Sequence, residues 1–203
     1  NFKTIGIICG RGNNGGDGFA LARNFLVNEY SVTVVSLGDE KNLKGDALFN
    51  FNILKRMCAS NKNINIIGYK NQKSLSVLDD CEIIVDALLG TGTKGALSEE
   101  YTSIISYLNN LNSIKVAVDI PTGLDADTAA GEEIFIADMT VSLSELKSGL
   151  YYGKGYLNAG KVVKGSIGIG SGYYDKLEVS EYLIEPEDAF NFLPSKDLAA
   201  HKY

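Results

Sequence analysis

The sequence predicts an α/β fold with a mostly parallel central sheet. Short runs rich in β-branched residues recur along the chain, and segments with apolar residues at helical spacing lie between them. Strands that alternate with helices favour parallel pairing through right-handed crossovers. Ligands of such sheets bind beyond the carboxyl ends of the strands, and several predicted strand ends in this chain carry polar residues.

The first strand is predicted at Thr4 to Cys9, and it runs into the glycine-rich segment from Cys9 to Gly18. An amphipathic helix follows, with Phe19, Ala22 and Leu26 at helical spacing. A strand that ends in glycines and restarts as a helix leaves unpaired backbone N–H groups at the helix start, in front of the positive end of the helix dipole. This arrangement suits a phosphate group.

The glycines also match a dinucleotide-binding fingerprint. Gly10, Gly12 and Gly15 have the G-x-G-x-x-G spacing, and Asp39 and Glu40 follow the next predicted strand, where an acid can bind a ribose. The spacing alone fits a nucleotide site and a plain turn equally well. Three polar side chains lie among glycines that are too small to screen them from a ligand: Asn13, Asn14 and Asp17. An acid at a helix start can also serve only to offset the helix dipole.

The remaining elements continue the alternation. Strands are predicted at 31–37, 64–69, 83–89, 114–120, 134–143 and 162–169, with a last short strand at 181–184. Helices are predicted at 44–59, at 74–78 and after Ser98, with helical turns at 173–177 and 187–192. Three lysines in the last third of the chain are expected to be solvated: Lys147, Lys154 and Lys161.

Two carboxylates stand in or at the end of predicted strands. Asp86 interrupts an otherwise apolar run, where a charge is costly unless a cation or several hydrogen-bond donors accompany it. This placement favours a functional acid over a satisfied structural one. Asp119 stands near the end of the strand at 114–120, just before a turn that begins at Pro121. Together with the glycine-rich segment, both acids are predicted to converge on one crevice.

The chain of 203 residues is long enough to form one domain with a substantial core. Its net charge of −6 and sequence pI near 4.9 argue against binding to a nucleic-acid backbone. No apolar run approaches the roughly 18 residues that a membrane span requires. We therefore expect neither a nucleic-acid partner nor a membrane span.

Cysteine and histidine usage argues against two further kinds of site. Cys9, Cys58 and Cys81 are widely spaced in largely apolar surroundings, so we expect reduced, buried thiols. The only histidine is His201, which leaves no basis for a zinc site or a Ser-His-Asp triad. An intracellular location, cytoplasmic in a bacterium, is expected.

Three segments together resemble a known family, the NAD(P)H-hydrate epimerases of the YjeF N-terminal domain. The segments are 12–18 (GNNGGDG), 85–92 (VDALLGTG) and 118–125 (VDIPTGLD), in the order and at the spacing of that family. The segment 137–141 (ADMTV) is similar to a later strand of the family, and the resemblance extends from about Ile5 to Gly170. These motifs are much more specific than the glycine spacing alone.

The resemblance implies a Rossmann-like three-layer α/β/α sandwich, which is usually a homodimer. The implied activity is the interconversion of the R and S forms of hydrated NADH and NADPH (NADHX and NADPHX). Residues 1–193 would form the epimerase domain without the helices that usually precede its first strand. The tail at 194–203 resembles the beginning of the dehydratase domain that follows in bifunctional relatives, and it equally resembles a plain surface tail.

The resemblance also assigns roles to individual residues. The implied ligands of a potassium ion are Asn14, Asp86 and Thr122. The implied substrate contacts are Asn13, Asn14, Gly15, Gly16, Asp17, Gly90, Thr91, Gly92, Thr93, Lys94, Gly95, Ala96 and Asp119. Asp119 is the candidate acid/base, although it could equally anchor the sugar or the nicotinamide amide. Two lysines, Lys94 and Lys147, lie in or near this set of substrate contacts, and Lys94 is the one expected to contact a phosphate.

Two other functions are compatible with the same fold. A conventional NAD-dependent oxidoreductase would use the glycine fingerprint, but it would leave Asp86 and the two asparagines unexplained. A non-catalytic nucleotide- or protein-binding module would not need the acids at the strand ends. The epimerase is therefore the favoured prediction.

Overall fold

The computed structural model describes residues 2–92, 94–174, 176, 178 and 181–192. Its strands form one sheet of seven parallel strands. They are β1 (Thr4–Cys9), β2 (Ser31–Ser36), β3 (Ile64–Gly68), β4 (Ile83–Ala87), β5 (Ile114–Val118), β6 (Met139–Leu143) and β7 (Lys161–Gly165). Their order across the sheet is β3-β2-β1-β4-β5-β6-β7.

Within the described part of the chain, four helices lie between strands in the chain order, and two follow the last strand. The helices are α1 (Asn13–Val27), α2 (Gly45–Cys58), α3 (Glu99–Asn109), α4 (Gly153–Asn158), α5 (Ser171–Tyr174) and α6 (Pro186–Phe192). Short 3-10 helices are found at Gln72–Leu78 and Ser148–Leu150. The chain divides into two compact units, Asn1–Gly168 with the sheet and α1 to α4, and Ile169–Tyr203 with α5 and α6.

The centre of the sheet is buried on both faces. Along β1, Ile7 packs into the cluster formed with α1 and α2, whereas Ile8 packs into the cluster formed with α3 and the first 3-10 helix. Both side chains are fully buried, as expected for a central strand of a parallel sheet that lies between two helical layers. The predicted α/β sandwich with a parallel sheet is therefore confirmed.

The strand order reverses direction beside β1, which pairs with β2 on one side and with β4 on the other. Connections from these neighbouring strands leave on opposite faces, so a crevice opens beyond their carboxyl ends. The glycine-rich segment after β1 and the residues after β4 and β5 lie at this edge.

The glycine-rich segment differs from its prediction, because α1 begins at Asn13 rather than near Phe19. Its glycines belong to the helix and allow the helix to approach the sheet closely. A Cβ atom on Gly15 would lie 2.0 Å from the carbonyl oxygen of Gly10, and one on Gly18 would lie 2.7 Å from the Sγ atom of Cys9. Packing with β1 therefore explains a helical conformation that residue propensity does not predict.

Three other predicted strands are shorter or absent. The strand predicted at 134–143 begins only at Met139, because the backbone N–H of Phe135 bonds to the Thr122 carbonyl in a loop instead of joining the sheet. The strand predicted at 162–169 is the shorter β7. The prediction of a strand at 181–184 was wrong, since these residues have no regular structure and are exposed.

The other predictions of secondary structure agree with the structure to within a few residues. The turn predicted at 187–192 is the helix α6, and part of the turn predicted at 173–177 lies in α5. Cys9 and Cys81 are buried and Cys58 is half-buried, all as free thiols. No helix among the described residues is long and apolar enough to cross a bilayer.

Candidate functional site

The first component of the site is a buried carboxylate, Asp86, which lies near the end of β4. Its side chain is inaccessible to solvent. Oδ1 accepts hydrogen bonds from the Leu88 backbone N–H (3.1 Å) and the Thr122 hydroxyl (2.7 Å), and Oδ2 accepts one from the Thr122 backbone N–H (2.8 Å). Burial raises the pKa of Asp86 to about 6, and these three hydrogen bonds partly oppose the rise.

No cationic side chain forms an ion pair with Asp86 in the part of the chain that the structure describes. Its partners are neutral donors, and one residue, Thr122, provides two of the three bonds, one from its hydroxyl and one from its backbone N–H. A fully buried carboxylate without a positive partner is costly to ionise. The contacts of Asp86 therefore leave its negative charge uncompensated.

Asn14 extends this cluster from the other side of the crevice. It is buried in the first turn of α1, and its Nδ2 donates a hydrogen bond to the Leu89 carbonyl (3.0 Å). The Leu89 N–H in turn donates to the Thr122 hydroxyl (3.1 Å). The structure thus brings together, around Leu89, the three residues that the family resemblance implies as potassium ligands: Asn14, Asp86 and Thr122.

The second component is Asp119, which follows β5 directly. Its backbone adopts φ = 70°, in the left-handed region that aspartate tolerates better than most residues. The backbone N–H of Asp119 bonds to the Val141 carbonyl (2.8 Å), while Oδ1 accepts a hydrogen bond from the Leu143 N–H (3.2 Å). The start of the loop after β5 is therefore attached to β6, and this attachment orients the carboxylate.

Oδ1 of Asp119 also accepts a hydrogen bond from Nζ of Lys147 at 2.5 Å. The two side chains are only 14% and 19% exposed, respectively. The prediction that Lys147 is solvated was therefore wrong, because its ammonium group pairs with the carboxylate of Asp119, 28 residues earlier in the chain. Lys154 and Lys161 are exposed as predicted.

Gly90 joins the two components. A Cβ atom built on Gly90 would lie 3.4 Å from Oδ2 of Asp119 and 3.6 Å from Cγ of Asn14. The acid after β5, the amide of α1 and the loop after β4 therefore meet at one point. The convergence predicted for these strand ends is confirmed.

Asp17 lies one turn further along α1, at the solvent-exposed rim of this region. Desolvation, followed by the negative charges of Asp119 and Asp46, raises the pKa of its carboxyl group. Asp17 is thus close enough to Asp119 for the two charges to interact. Asn13 is exposed beside it, whereas Gly15 and Gly16 are buried in helix packing.

A cavity of about 550 Å³ opens beside Gly90. Of the predicted substrate segment at 90–96, the residues that line it are Gly90, Gly95 and Ala96. Its remaining wall comes from Leu89 and Leu97, from the loops at 120–132 and from Gly153 and Lys154. Thr91 and Gly92 are exposed outside it, and Thr93 lies outside the described residues. A mostly apolar cavity of this size is large enough for a small organic ligand or for part of a larger one.

Two predicted ligand contacts have other partners. Lys94 forms an ion pair with Asp127 (3.1 Å), and both side chains are 72% exposed. The hydrogen bond from Lys94 to Asp127 is the main cause of the raised pKa of Lys94. Oδ1 of Asp39 accepts a hydrogen bond from the Lys41 N–H, and Glu40 pairs with Lys55. A phosphate contact at Lys94 and a ribose contact at Asp39 stay predictions.

The start of α1 is open to an anion. Gly12 stands at the N-cap position, and no side chain caps the helix. The first-turn N–H groups of α1 therefore have no side-chain partner there, and they carry the positive end of the helix dipole. This is the arrangement in which a helix binds a phosphate group.

Lys147 was placed in or near the predicted substrate contacts without a role, and the Leu89 carbonyl was not predicted. Lys147 follows β6, so it stands at the same carboxyl edge of the sheet as the two acids. That position was the available signal, but the neighbouring acid could not be identified from the sequence. The role of the Leu89 carbonyl cannot be predicted from the sequence, since every residue has a backbone carbonyl.

The fold and site define a parallel α/β protein with acids and a glycine-rich helix start at the switch point of its sheet. The family model described as YjeF-related protein N-terminus matches residues 1–149. The chain therefore belongs to this family, as the three sequence motifs indicated.

Named relatives agree with this assignment. An NAD(P)H-hydrate epimerase of Nitrosopumilus maritimus is 37% identical over 150 residues, which are 73% of this chain and 66% of the relative. A bifunctional NAD(P)H-hydrate repair enzyme Nnr of Coxiella burnetii is 32% identical over 201 residues, which are 98% of this chain and 39% of the relative. The chain thus spans about two-fifths of that bifunctional relative and slightly less than two-thirds of the epimerase.

A solved structure supports the fold. The crystal structure of the yeast protein YNL200c has a TM-score of 0.68 and covers 92% of this chain and 75% of its own. Sequence identity is 22%, so this likeness concerns the architecture alone.

Proposed function

We propose that this chain is an NAD(P)H-hydrate epimerase that interconverts the R and S forms of NADHX and NADPHX. The observation that carries the proposal is the meeting of Asp119, Asn14 and Gly90 beside a cavity large enough for part of such a substrate. The relationship to a protein named NAD(P)H-hydrate epimerase supports the choice of substrate. None of the contacts described above favours a dehydrogenase or a non-catalytic module.

The reaction requires reversible loss of a hydroxyl group from the carbon next to the ring nitrogen. Protonation of the hydroxyl lets the C–O bond break, so that water leaves with the bonding electrons and the nitrogen lone pair forms a C=N iminium bond. Water then adds to the opposite face of that carbon and gives up a proton. The protein must supply an acid/base and must stabilise the positive charge of the iminium.

Asp119 is the proposed acid/base. Its Oδ1 is occupied by Lys147 and the Leu143 N–H, whereas Oδ2 faces Gly90. Oδ2 is therefore the oxygen available to exchange a proton with the hydroxyl or the returning water. The partly exposed carboxyl of Asp17 is close enough to Asp119 to add negative potential opposite the iminium.

The buried cluster fits a potassium ion. The hydrogen bond from Asn14 uses only its amide nitrogen, so Oδ1 can bind a cation together with the Asp86 carboxylate, the Thr122 hydroxyl and the Leu89 carbonyl. Amide, carboxylate, hydroxyl and carbonyl oxygens are the ligands of hard cations. When bound, a potassium ion would supply the positive charge that the neutral partners of Asp86 lack.

The remaining parts of the substrate have places at the same edge. The open start of α1 would receive the pyrophosphate through its N–H groups, with Asn13 and Gly16 in its first turns. Lys94 could contact a phosphate only by leaving Asp127. Because the Lys94–Asp127 pair is highly exposed, breaking it costs little.

We also propose a larger context for the domain. The bifunctional relative of Coxiella burnetii is more than twice as long as the stretch it shares with this chain. We therefore propose that residues 1–193 form the epimerase domain, that a dehydratase domain follows the tail at 194–203, and that the epimerase domain forms a homodimer. Mass measurement by light scattering during gel filtration tests the dimer.

The activity is tested by chiral chromatography of purified R-NADHX and S-NADHX incubated with the chain. We expect the interconversion rate to exceed the spontaneous rate, and Asp119→Asn to lower the enzymatic rate at least about 100-fold through loss of the acid/base. The matched control is Asp80→Asn, an exposed acid at the opposite end of β4. A wild-type rate equal to the spontaneous rate would refute the proposed function.

A further inference from the structure

The segment after β6 provides a lysine that none of the sequence motifs includes. The chain turns at Ser144, whose backbone has φ = 70°, and Lys147 returns towards the carboxyl end of the sheet. Its Nζ donates to Oδ1 of Asp119 (2.5 Å) and to the Leu143 carbonyl (2.6 Å). The ammonium group is thus anchored to the backbone of β6 while it holds the acid after β5.

This ion pair differs from the other pairs among the described residues. Every other pair has side chains that are 38% to 72% exposed, where ion pairs contribute little to stability. The pair of Lys147 and Asp119 is largely buried, and a buried pair is a poor means of gaining stability compared with apolar packing. Its location beside Gly90 indicates a role in the site.

The two carboxylate oxygens of Asp119 have different surroundings. Oδ1 accepts hydrogen bonds from both Lys147 and the Leu143 N–H, so rotation of the carboxylate would break both. Oδ2 is the oxygen that approaches Gly90. The left-handed backbone at Asp119 is a conformation that the surrounding contacts must maintain.

We propose that Lys147 is the positioning residue of the acid/base: its ammonium group fixes Oδ1 of Asp119, so that Oδ2 is presented at Gly90 to the hydroxyl of the hydrate. This inference rests on the proposed epimerase function. A misplacement of about 1 Å at a reacting group can reduce a rate about 100-fold, which sets the scale of the effect.

The kinetic test compares Lys147→Met with Lys161→Met, an exposed lysine at the start of β7. We expect Lys147→Met to reduce kcat about 100-fold and to change KM by less than about threefold, because the substrate still binds while the acid/base is misplaced. Lys161→Met should retain the wild-type kcat. A folded Lys147→Met variant with the wild-type kcat would overturn the proposal.

Chemical rescue separates positioning from a purely structural role. In Lys147→Ala, added ethylammonium can occupy the space of the lost side chain and donate to Oδ1 of Asp119. We expect it to raise kcat in this variant and to leave Asp119→Asn unaffected. Absence of rescue in a variant whose urea unfolding midpoint is reduced would assign Lys147 a structural role and overturn the proposal.

A crystal structure of Lys147→Met tests the positioning role separately from the proposed epimerase function, because the orientation of the Asp119 carboxylate can be observed without any assay of activity. We expect the Asp119 carboxylate to rotate away from Gly90. An unchanged carboxylate orientation would refute the positioning role whether or not the wild-type chain is an epimerase. A rotated carboxylate in a chain without epimerase activity would support the positioning role and refute only the proposed function.

Discussion

Replacing Thr122 by valine removes one hydroxyl from the centre of the buried cluster without changing the shape of the side chain greatly. Thr122 is 1% exposed. Its hydroxyl donates to Oδ1 of Asp86 (2.7 Å) and accepts from the Leu89 N–H (3.1 Å). The substitution therefore removes a hydrogen bond to a carboxylate and leaves a backbone donor without its partner.

The expected loss of stability follows from these two contacts. A hydrogen bond to a charged group contributes about 1.5 to 3 kcal/mol, and a buried group left without a partner costs about 1 to 3 kcal/mol. We expect Thr122→Val to lower the free energy of unfolding by about 3 to 5 kcal/mol, a large share of the roughly 5 to 15 kcal/mol of a typical domain.

Equilibrium unfolding in urea, followed by circular dichroism, measures this loss. Thr122→Ser is the matched control, because it keeps the hydroxyl and removes only a methyl group, at a cost of about 1 kcal/mol. The reasoning would be refuted if valine and serine destabilised the chain equally. It would also be refuted if valine changed the unfolding free energy by less than about 0.5 kcal/mol, the range of ordinary surface substitutions.

Three further outcomes are expected. Gly15→Ala should unfold or inactivate the chain, because its Cβ would lie 2.0 Å from the Gly10 carbonyl oxygen. Gly12→Ala should be tolerated in thermal melts, because no atom lies within 4 Å of the added Cβ. Potassium chloride at ten times its Kd should stabilise the chain by about 1.4 kcal/mol over choline chloride of equal ionic strength, and Asn14→Ala should remove this difference in urea titrations. Hydrogen bonds from the start of β1 lower the pKa of Glu82 in the folded state. The contribution of Glu82 to stability is therefore present above its unfolded pKa, and it is lost as the pH falls through the lower folded pKa. Glu82→Gln should therefore flatten the pH dependence of the unfolding free energy below pH 4.5.

The sequence predicts the sheet well because buried parallel strands are nearly continuous apolar runs. The stretch at 83–89 is such a run, and the structure confirms a strand at Ile83–Ala87 with Asp86 inside it. The stretch at 134–137 is also apolar, but Phe135 is buried without joining the sheet. Apolar content identifies residues of the core, whereas only the tertiary partners decide whether their backbone pairs with a strand.

The sequence drew attention to the two acids of the candidate site, whereas it indicated neither the burial of Lys147 nor its pairing with Asp119. Asp86 and Asp119 stand out because a carboxylate in or at the end of an apolar strand has an evident cost or use. Lys147 gives no such signal, since a lysine in a polar loop is usually solvated. Its partner lies 28 residues earlier in the chain and is reached only through the pairing of β5 with β6.

The two acids have the same chemistry and opposite surroundings, and this contrast argues for different roles. Asp86 is sealed from solvent among neutral donors, so neither of its oxygens can reach a substrate in the crevice. Asp119 has an ammonium group on Oδ1, while Oδ2 lies beside Gly90. Under the proposed function, environments that separate two carboxylates in this way favour proton transfer by Asp119 and electrostatic organisation by Asp86. Asp119→Asn should consequently lower turnover at least about 100-fold in a folded chain, whereas Asp86→Asn should act mainly on cation-dependent stability.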